Sequence, residues 1–172
     1  MSDPKTTDTR AKIVRRDFLR ARLEEHRRRG QRIVLANGCF DILHVGHVRY
    51  LEGARHEGDV LVVGVNSDAS TRQLKGANRP ILDEQARAEL VAAVGAVDYV
   101  LLFDELNVEP LLEELRPHVH AKGTDYTAES VPEREQAARL GIRVAIVGDA
   151  KDHSTRGVLA RVRNPVAGRR DG

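Results

Sequence analysis

Several residue types are scarce, and each scarcity removes a class of protein. Cys39 is the single cysteine, so no disulfide can close within the chain, and a reducing, cytoplasmic setting is expected. The opening residues, M-S-D-P-K-T-T-D-T-R, lack the apolar core of a secretory signal. No apolar run approaches the roughly 20 residues a membrane helix needs, so no membrane association is expected. Tryptophan is absent, and three Phe and three Tyr leave few rings on which nucleic-acid bases could stack. Neither G-x-G-x-x-G nor G-x-x-x-x-G-K-[ST] occurs, which argues against a dinucleotide-dependent dehydrogenase and a P-loop kinase.

Charge of one sign is also lacking overall, since the formal net charge is +2, but it is unevenly spread. Residues 1–32 hold eleven Lys or Arg against five acids, residues 161–172 hold four against one, and the stretch between carries thirteen against twenty. Basic ends could suit a polyanion. The first cluster, however, alternates with Val14, Phe18, Leu19 and Leu23 at helical spacing, the pattern of a solvated helix face, and no nucleic-acid partner is expected. With 41% hydrophobic and 31% charged residues over 172 positions, the chain suits one soluble globular domain.

Read in order, the pattern alternates strand and helix. Residues 1–11 form a loose polar leader, and residues 12–29 an amphipathic helix stopped by Gly30. A strand at 32–36, a helix at 46–56 and an uninterrupted apolar strand at 60–65 follow. Residues 73–80, Q-L-K-G-A-N-R-P, read as a polar loop. Asp83 caps a helix to about residue 94, with Leu82, Ala86, Leu90, Val91 and Val94 inward. Next come a strand at 98–103, a helix at 108–115 and a short strand at 119–122. Pro132 opens a helix that Gly141 ends, residues 142–147 make a fifth strand, and Ser154 opens a last helix to about residue 162. This alternation predicts an α/β fold: one Rossmann-like domain over residues 12–163, with an open parallel sheet of about five strands, helices on both faces, and a basic tail at 164–172.

Ligands of such sheets bind beyond the carboxyl ends of the strands, which selects residues 37–47, 66–68, 123–126 and 148–155 before any motif is considered. The first of these loops is the richest. N-G-C-F-D-I-L-H-V-G-H runs from Asn37 to His47, a strand emptying into a glycine turn and a helix start. The backbone N–H groups of Asn37, Gly38, Cys39 and Phe40 and the positive end of the helix dipole would face an anion. His44 and His47, three apart, put two imidazoles on one side of the helix start, donors that can be charged near neutral pH, and Gly46 leaves room for close approach.

Other candidates follow from position. Lys75 lies where a loop could fold over phosphates. Arg79 and Arg87 either reach a substrate phosphate bidentately or are ordinary surface cations. Ser154 and Thr155 stand at a helix start, where they can cap the helix or bind phosphate. His118 and His120 have no Cys or carboxylate cluster to complete a tetrahedral set, so no protein-held metal is expected.

F-D-I-L-H-V-G-H resembles the H-x-G-H signature of the nucleotidylyltransferase superfamily, in which a phosphate or carboxylate attacks the α-phosphorus of a nucleoside triphosphate and pyrophosphate leaves. V-N-S-D-A-S, L-K-G-A-N-R-P, A-V-D-Y-V, K-G-T-D-Y at 122–126 and H-S-T at 153–155 follow in order. Over about residues 12–163 the whole is similar to the adenylyltransferases that convert heptose 1-phosphate to ADP-heptose; glycerol-3-phosphate cytidylyltransferases share the skeleton more loosely. The resemblance implies ATP and a sugar 1-phosphate as substrates. CTP with a polyol phosphate, or ATP with FMN, are alternatives on the same skeleton, and a nucleotide-binding regulator without turnover is a reading from another class.

The same resemblance implies catalytic roles for His44, His47 and a phosphate-binding Lys75, with Asp125 a candidate for ribose or base contacts. It also implies magnesium delivered with the triphosphate, and a homodimer. Because the reaction needs no covalent intermediate, Cys39 is expected to offer only its backbone N–H. Two departures stand out: relatives read S-T-T where this chain has S-T-R, placing Arg156 at the helix start, and G-G-D-Y where it has G-T-D-Y.

Overall fold

Val60–Asn66 (β2) is buried at all seven positions, as a strand must be when helices cover both faces of a parallel sheet. The computed structural model describes residues 8–149 and 155–163. In it β2 lies between β1 (Ile33–Gly38) and β3 (Tyr99–Phe103), with β4 (Val119–Gly123) and β5 (Arg143–Val147) beyond β1. The order is β3-β2-β1-β4-β5, and every pairing is parallel. Register follows the apolar runs: Ile33 stands opposite Val60, and Val34 opposite Val119.

Seven helices are described: α1 (Arg16–Arg28), α2 (Val45–His56), α3 (Asp68–Lys75), α4 (Glu84–Ala92), α5 (Glu109–Leu115), α6 (Arg134–Arg139) and α7 (Thr155–Arg163). Because strand side chains alternate in direction, the sheet feeds two apolar layers. Val34, Ala36, Val63 and Val65 pack with Leu51 of α2 and Val91 of α4. Ile33, Leu35, Val60 and Val62 pack with Leu19 and Leu23 of α1 and with Leu111, Leu112 and Leu115 of α5. Each buried leucine contributes about 1.5–3 kcal/mol. On the first face α2 approaches the end of β5 closely: a Cβ on Gly53 would lie 3.0 Å from the Gly148 nitrogen, and Gly148 itself has φ +96°.

This topology positions a site. The chain runs outward through β1, β2 and β3, then returns to the other side of β1 for β4 and β5. At the β1/β4 boundary the connections leave in opposite directions and open a crevice above the carboxyl ends.

Three local expectations need correcting. The leading helix begins only at Arg16. Before it, Thr9–Lys12 forms a 3-10 turn capped by Asp8, and the Val14 N–H donates to the Val100 carbonyl at 2.9 Å, so this segment follows the edge of β3. The polar stretch expected as a loop from residue 73 begins inside α3, which Ser67 caps by accepting from the Ser70 N–H. In α4 it is Arg87, fully buried, that faces inward, while Leu90 is 42% exposed. The tail at 164–172 lies outside the described residues.

Candidate active site

Just beyond β1 the backbone at Phe40 enters the left-handed region, at φ +48°. That conformation costs an aromatic residue of order 1 kcal/mol and persists only where surroundings impose it. The surroundings here are specific. Arg87 donates from Nε to the Leu82 carbonyl at 2.9 Å, from Nη1 to the carbonyls of Cys39 at 2.5 Å and Asn66 at 2.8 Å, and from Nη2 to Asp68 at 2.8 Å. Asp41, buried, pairs with Arg79 and accepts from the Ile81 N–H at 2.6 Å. The Tyr50 hydroxyl accepts from the Asn37 N–H at 3.4 Å and donates to the Ala121 carbonyl at 2.9 Å, and burial pushes this phenol well above its ordinary pKa. The turn is thus tied to β2, α4 and β4 at once.

The two histidines stand on this base. His44 is the N-cap of α2, and its ring stacks on that of His47 with centroids 3.9 Å apart and 24° between planes. The Phe40 ring meets His47 edge-on at 5.2 Å. The His44 N–H donates to Nδ1 of His47 at 3.4 Å, which leaves the proton of a neutral His47 on Nε2. Burial first, and then the charge of His44, pull the His47 pKa down to about 4. An imidazole that can be charged near neutral pH is the expectation from sequence, and burial shifts this ring away from it. In the unliganded protein it is a neutral donor at pH 7, and only an anion placed over it would favour the cation.

Above the turn lies a cleft of about 580 Å³. Asn37, Gly38, Cys39 and Phe40 line it from the turn, His44, Gly46 and His47 from the helix start, and Lys75 and Asp125 from other walls. Lys75 is the exposed last residue of α3, makes no ion pair among the described residues, and is followed by Gly76 at φ +106°. Arg79 and Arg87 do not line the cleft. Neither is a phosphate ligand or a surface cation: Arg79 is held by Asp41 and Arg87 spends its donors on the protein, so each supports the turn from behind. Ser154 lies outside the described residues, as do the side chains of Thr155 and Arg156; their backbone opens α7.

The sequence reading overlooked the wall built by β4 and α6. Lys122 and Glu133 line the cleft as an ion pair at 3.3 Å, each side chain 8% exposed. The Tyr126 ring lies 4.9 Å from the Lys122 ammonium. Lys122 and Tyr126 were in view within K-G-T-D-Y; Glu133 sits in a mixed-charge stretch that carries no signal. Arg49, which pairs with Asp149 at 3.0 Å, and Asn66 and Asn107 complete the polar lining. Among the described residues no group of three or more His, Cys, Asp or Glu could hold a metal ion. His118 accepts from the Ile33 N–H at 2.9 Å, and His120 meets Asn37 at 3.1 Å.

The pattern of the cytidylyltransferase-like family matches residues 35–155, from the middle of β1 to the start of α7. The chain belongs to the cytidylyltransferase-like family. It is 48% identical to the bifunctional protein HldE of Pelobacter propionicus over 156 residues, which is 91% of this chain and 32% of that protein. With HldE of Geobacter metallireducens the identity is 46% over the same two shares. The chain therefore spans about a third of the length of these curated relatives. Among solved structures, a lipopolysaccharide core biosynthesis protein from Thermoplasma volcanium superposes with a TM-score of 0.61 at 29% identity, covering 70% of this chain and 99% of the other.

Proposed function

We propose that the chain transfers AMP from ATP to a sugar 1-phosphate, with heptose 1-phosphate the leading acceptor, forming ADP-heptose and pyrophosphate. The observation that carries this reading is the stacked His44–His47 pair on a strained, cross-tied turn inside a cleft at the switch point of the sheet. The relation to HldE proteins and to a lipopolysaccharide core biosynthesis protein supports a sugar-nucleotide step.

In that reaction an oxygen of the acceptor phosphate bonds to the α-phosphorus while the bond from that phosphorus to the bridging oxygen breaks and pyrophosphate departs with its electron pair. No protein nucleophile is needed, so catalysis consists of alignment and charge stabilisation. His47 would donate from Nε2 to phosphate oxygens, becoming more basic as the anion arrives. The N–H groups at the start of α2 add the helix dipole, and Lys75 would close on the phosphates from the exposed end of α3. Magnesium would come in on the triphosphate, offsetting its charge, with Asp125 and Asp149 at the rim as carboxylates able to hold its waters.

A cytoplasmic location goes with the free Cys39 and with this chemistry, and among the described residues no helix is long and apolar enough to cross a membrane. A homodimer is proposed from the general prevalence of two-fold assemblies.

The test is pyrophosphate release with ATP or CTP against heptose 1-phosphate, glycerol 3-phosphate and FMN. ATP with heptose 1-phosphate should exceed every other pair by about tenfold or more in kcat/KM. A faster reaction with CTP and glycerol 3-phosphate, or with ATP and FMN, would move the assignment to that pair. Nucleotide binding with no pyrophosphate from any acceptor would make the protein a regulator.

A further inference from the structure

On the sheet face that packs against α5 and α6, β4 carries His120 and Lys122 where aliphatic residues would fill the layer; they are 0% and 6% exposed. Lys122 is neutralised by Glu133, also 6% exposed, through the 3.3 Å contact, with Tyr126 over its ammonium. A buried ion pair of this kind gains little over an apolar pair of equal volume, so folding alone does not account for it. Nor does the helix that Glu133 begins. Glu133 is the N-cap of α6, yet its carboxylate makes no capping bond. Among the described residues the carboxylate's one polar partner is Lys122, and both residues line the cleft.

Electrostatics then restricts what Glu133 can meet. The cleft's groups suited to an anion, the His44 and His47 rings and the Lys75 ammonium, come from the start of α2 and the end of α3. A carboxylate only accepts hydrogen bonds, so it offers nothing to the oxygens of a phosphate, which are acceptors too. The part of a ligand that lies against it is therefore neutral and rich in hydrogen-bond donors. Two adjacent hydroxyls match the two oxygens of a carboxylate, while Lys122 keeps the wall from carrying net charge and Tyr126 restrains the ammonium.

We infer that Glu133, positioned by Lys122, accepts hydrogen bonds from the vicinal hydroxyls of a sugar ring bound in the cleft and so takes part in substrate selection. The inference rests on the reading that the cleft takes a nucleotide and a phosphorylated sugar. Either ring could supply the diol: the ribose of the nucleotide or the acceptor sugar.

The experiment compares wild type, Glu133→Gln and the double variant Lys122→Met/Glu133→Leu as full chains. Substrates are ATP, its 2′-deoxy and 3′-deoxy forms, and heptose 1-phosphate with and without its 2-hydroxyl. In wild type, removal of the hydroxyl that Glu133 reads should lower kcat/KM about tenfold or more. In both variants the same removal should matter less than about twofold, because its partner is gone. Loss with deoxy-ATP assigns the ribose; loss with the deoxy acceptor assigns the acceptor ring. The double variant leaves no unpaired buried charge, so it stays folded and readable even if Glu133→Gln does not. Full discrimination retained in the variants, or none in wild type, overturns the inference. If wild type releases no pyrophosphate with any acceptor, the proposed function fails instead. Calorimetric binding of ATP and its two deoxy forms then decides for Glu133: a preference for ATP that the variants lose supports it, and equal affinities throughout overturn it.

Discussion

His44 and His47 sit on a turn tied down from several sides, whereas Lys75 ends α3 in the open, with no ion pair among the described residues and a left-handed glycine behind it. The two contributions to the proposed phosphate site are thus built to opposite specifications. The imidazoles are pre-positioned and His47 is neutral, so that binding an anion has little left to organise and everything to gain from charging His47. The lysine carries its charge beforehand and keeps it in water until a ligand arrives. A polar site can therefore separate the group that must be accurate from the group that must be available.

Removing the support under the turn should have the largest effect. Arg87→Leu removes the guanidinium from the Cys39, Asn66 and Leu82 carbonyls and from Asp68, and should cost about 3–5 kcal/mol of stability, read from urea denaturation; a loss below about 1 kcal/mol would show the turn to be self-supporting. Lys75→Ala should lower kcat/KM by about 100-fold, about 2.7 kcal/mol, and leave the melting temperature unchanged, since Lys75 holds nothing in the unliganded fold. A matching fall in stability would erase the contrast between the two regions.

Acid sharpens the same contrast. The unfolded chain protonates His47 near pH 6.5 and the folded chain only near pH 4, so the unfolded state binds more protons in that window and stability falls as pH drops through it. Wild type should lose about 2 kcal/mol more than His47→Gln between pH 7 and pH 5. Equal pH profiles would show that folding leaves the protonation of His47 unchanged. Smallest of all, Tyr50→Phe removes the hydroxyl bridge between Asn37 and Ala121 and should cost about 1 kcal/mol, with a modest rise in KM for ATP. A silent variant would remove the β4 tie from the list of what holds the turn.

The outline of the molecule was legible because its strands are apolar runs: I-V-L-A at 33–36 and V-L-V-V-G-V at 60–65 have no other place than a sheet covered on both faces. The histidine turn was legible for the same reason, since a strand that ends in N-G-C-F and meets H-V-G-H can only deliver both rings to the carboxyl edge. α3 was not. D-A-S-T-R-Q-L-K has no apolar period, and its inward residues are Ser70 and Thr71, bonded to Ser67 and Asn66. Arg87 and Glu133 were hidden more deeply. A charged residue reads as surface by default, and what draws each inward is a set of partners that only the fold assembles: distant carbonyls for the first, Lys122 for the second.

The most direct test compares wild type with His47→Ala for pyrophosphate release from ATP and heptose 1-phosphate, with melting curves recorded alongside. If the neutral, pre-positioned imidazole stabilises the reacting phosphates, the variant should lose about 10³-fold in kcat, while its melting temperature lies less far below that of wild type at pH 5 than at pH 7, because removal of the ring relieves a protonation penalty. Unchanged turnover in His47→Ala would contradict the account.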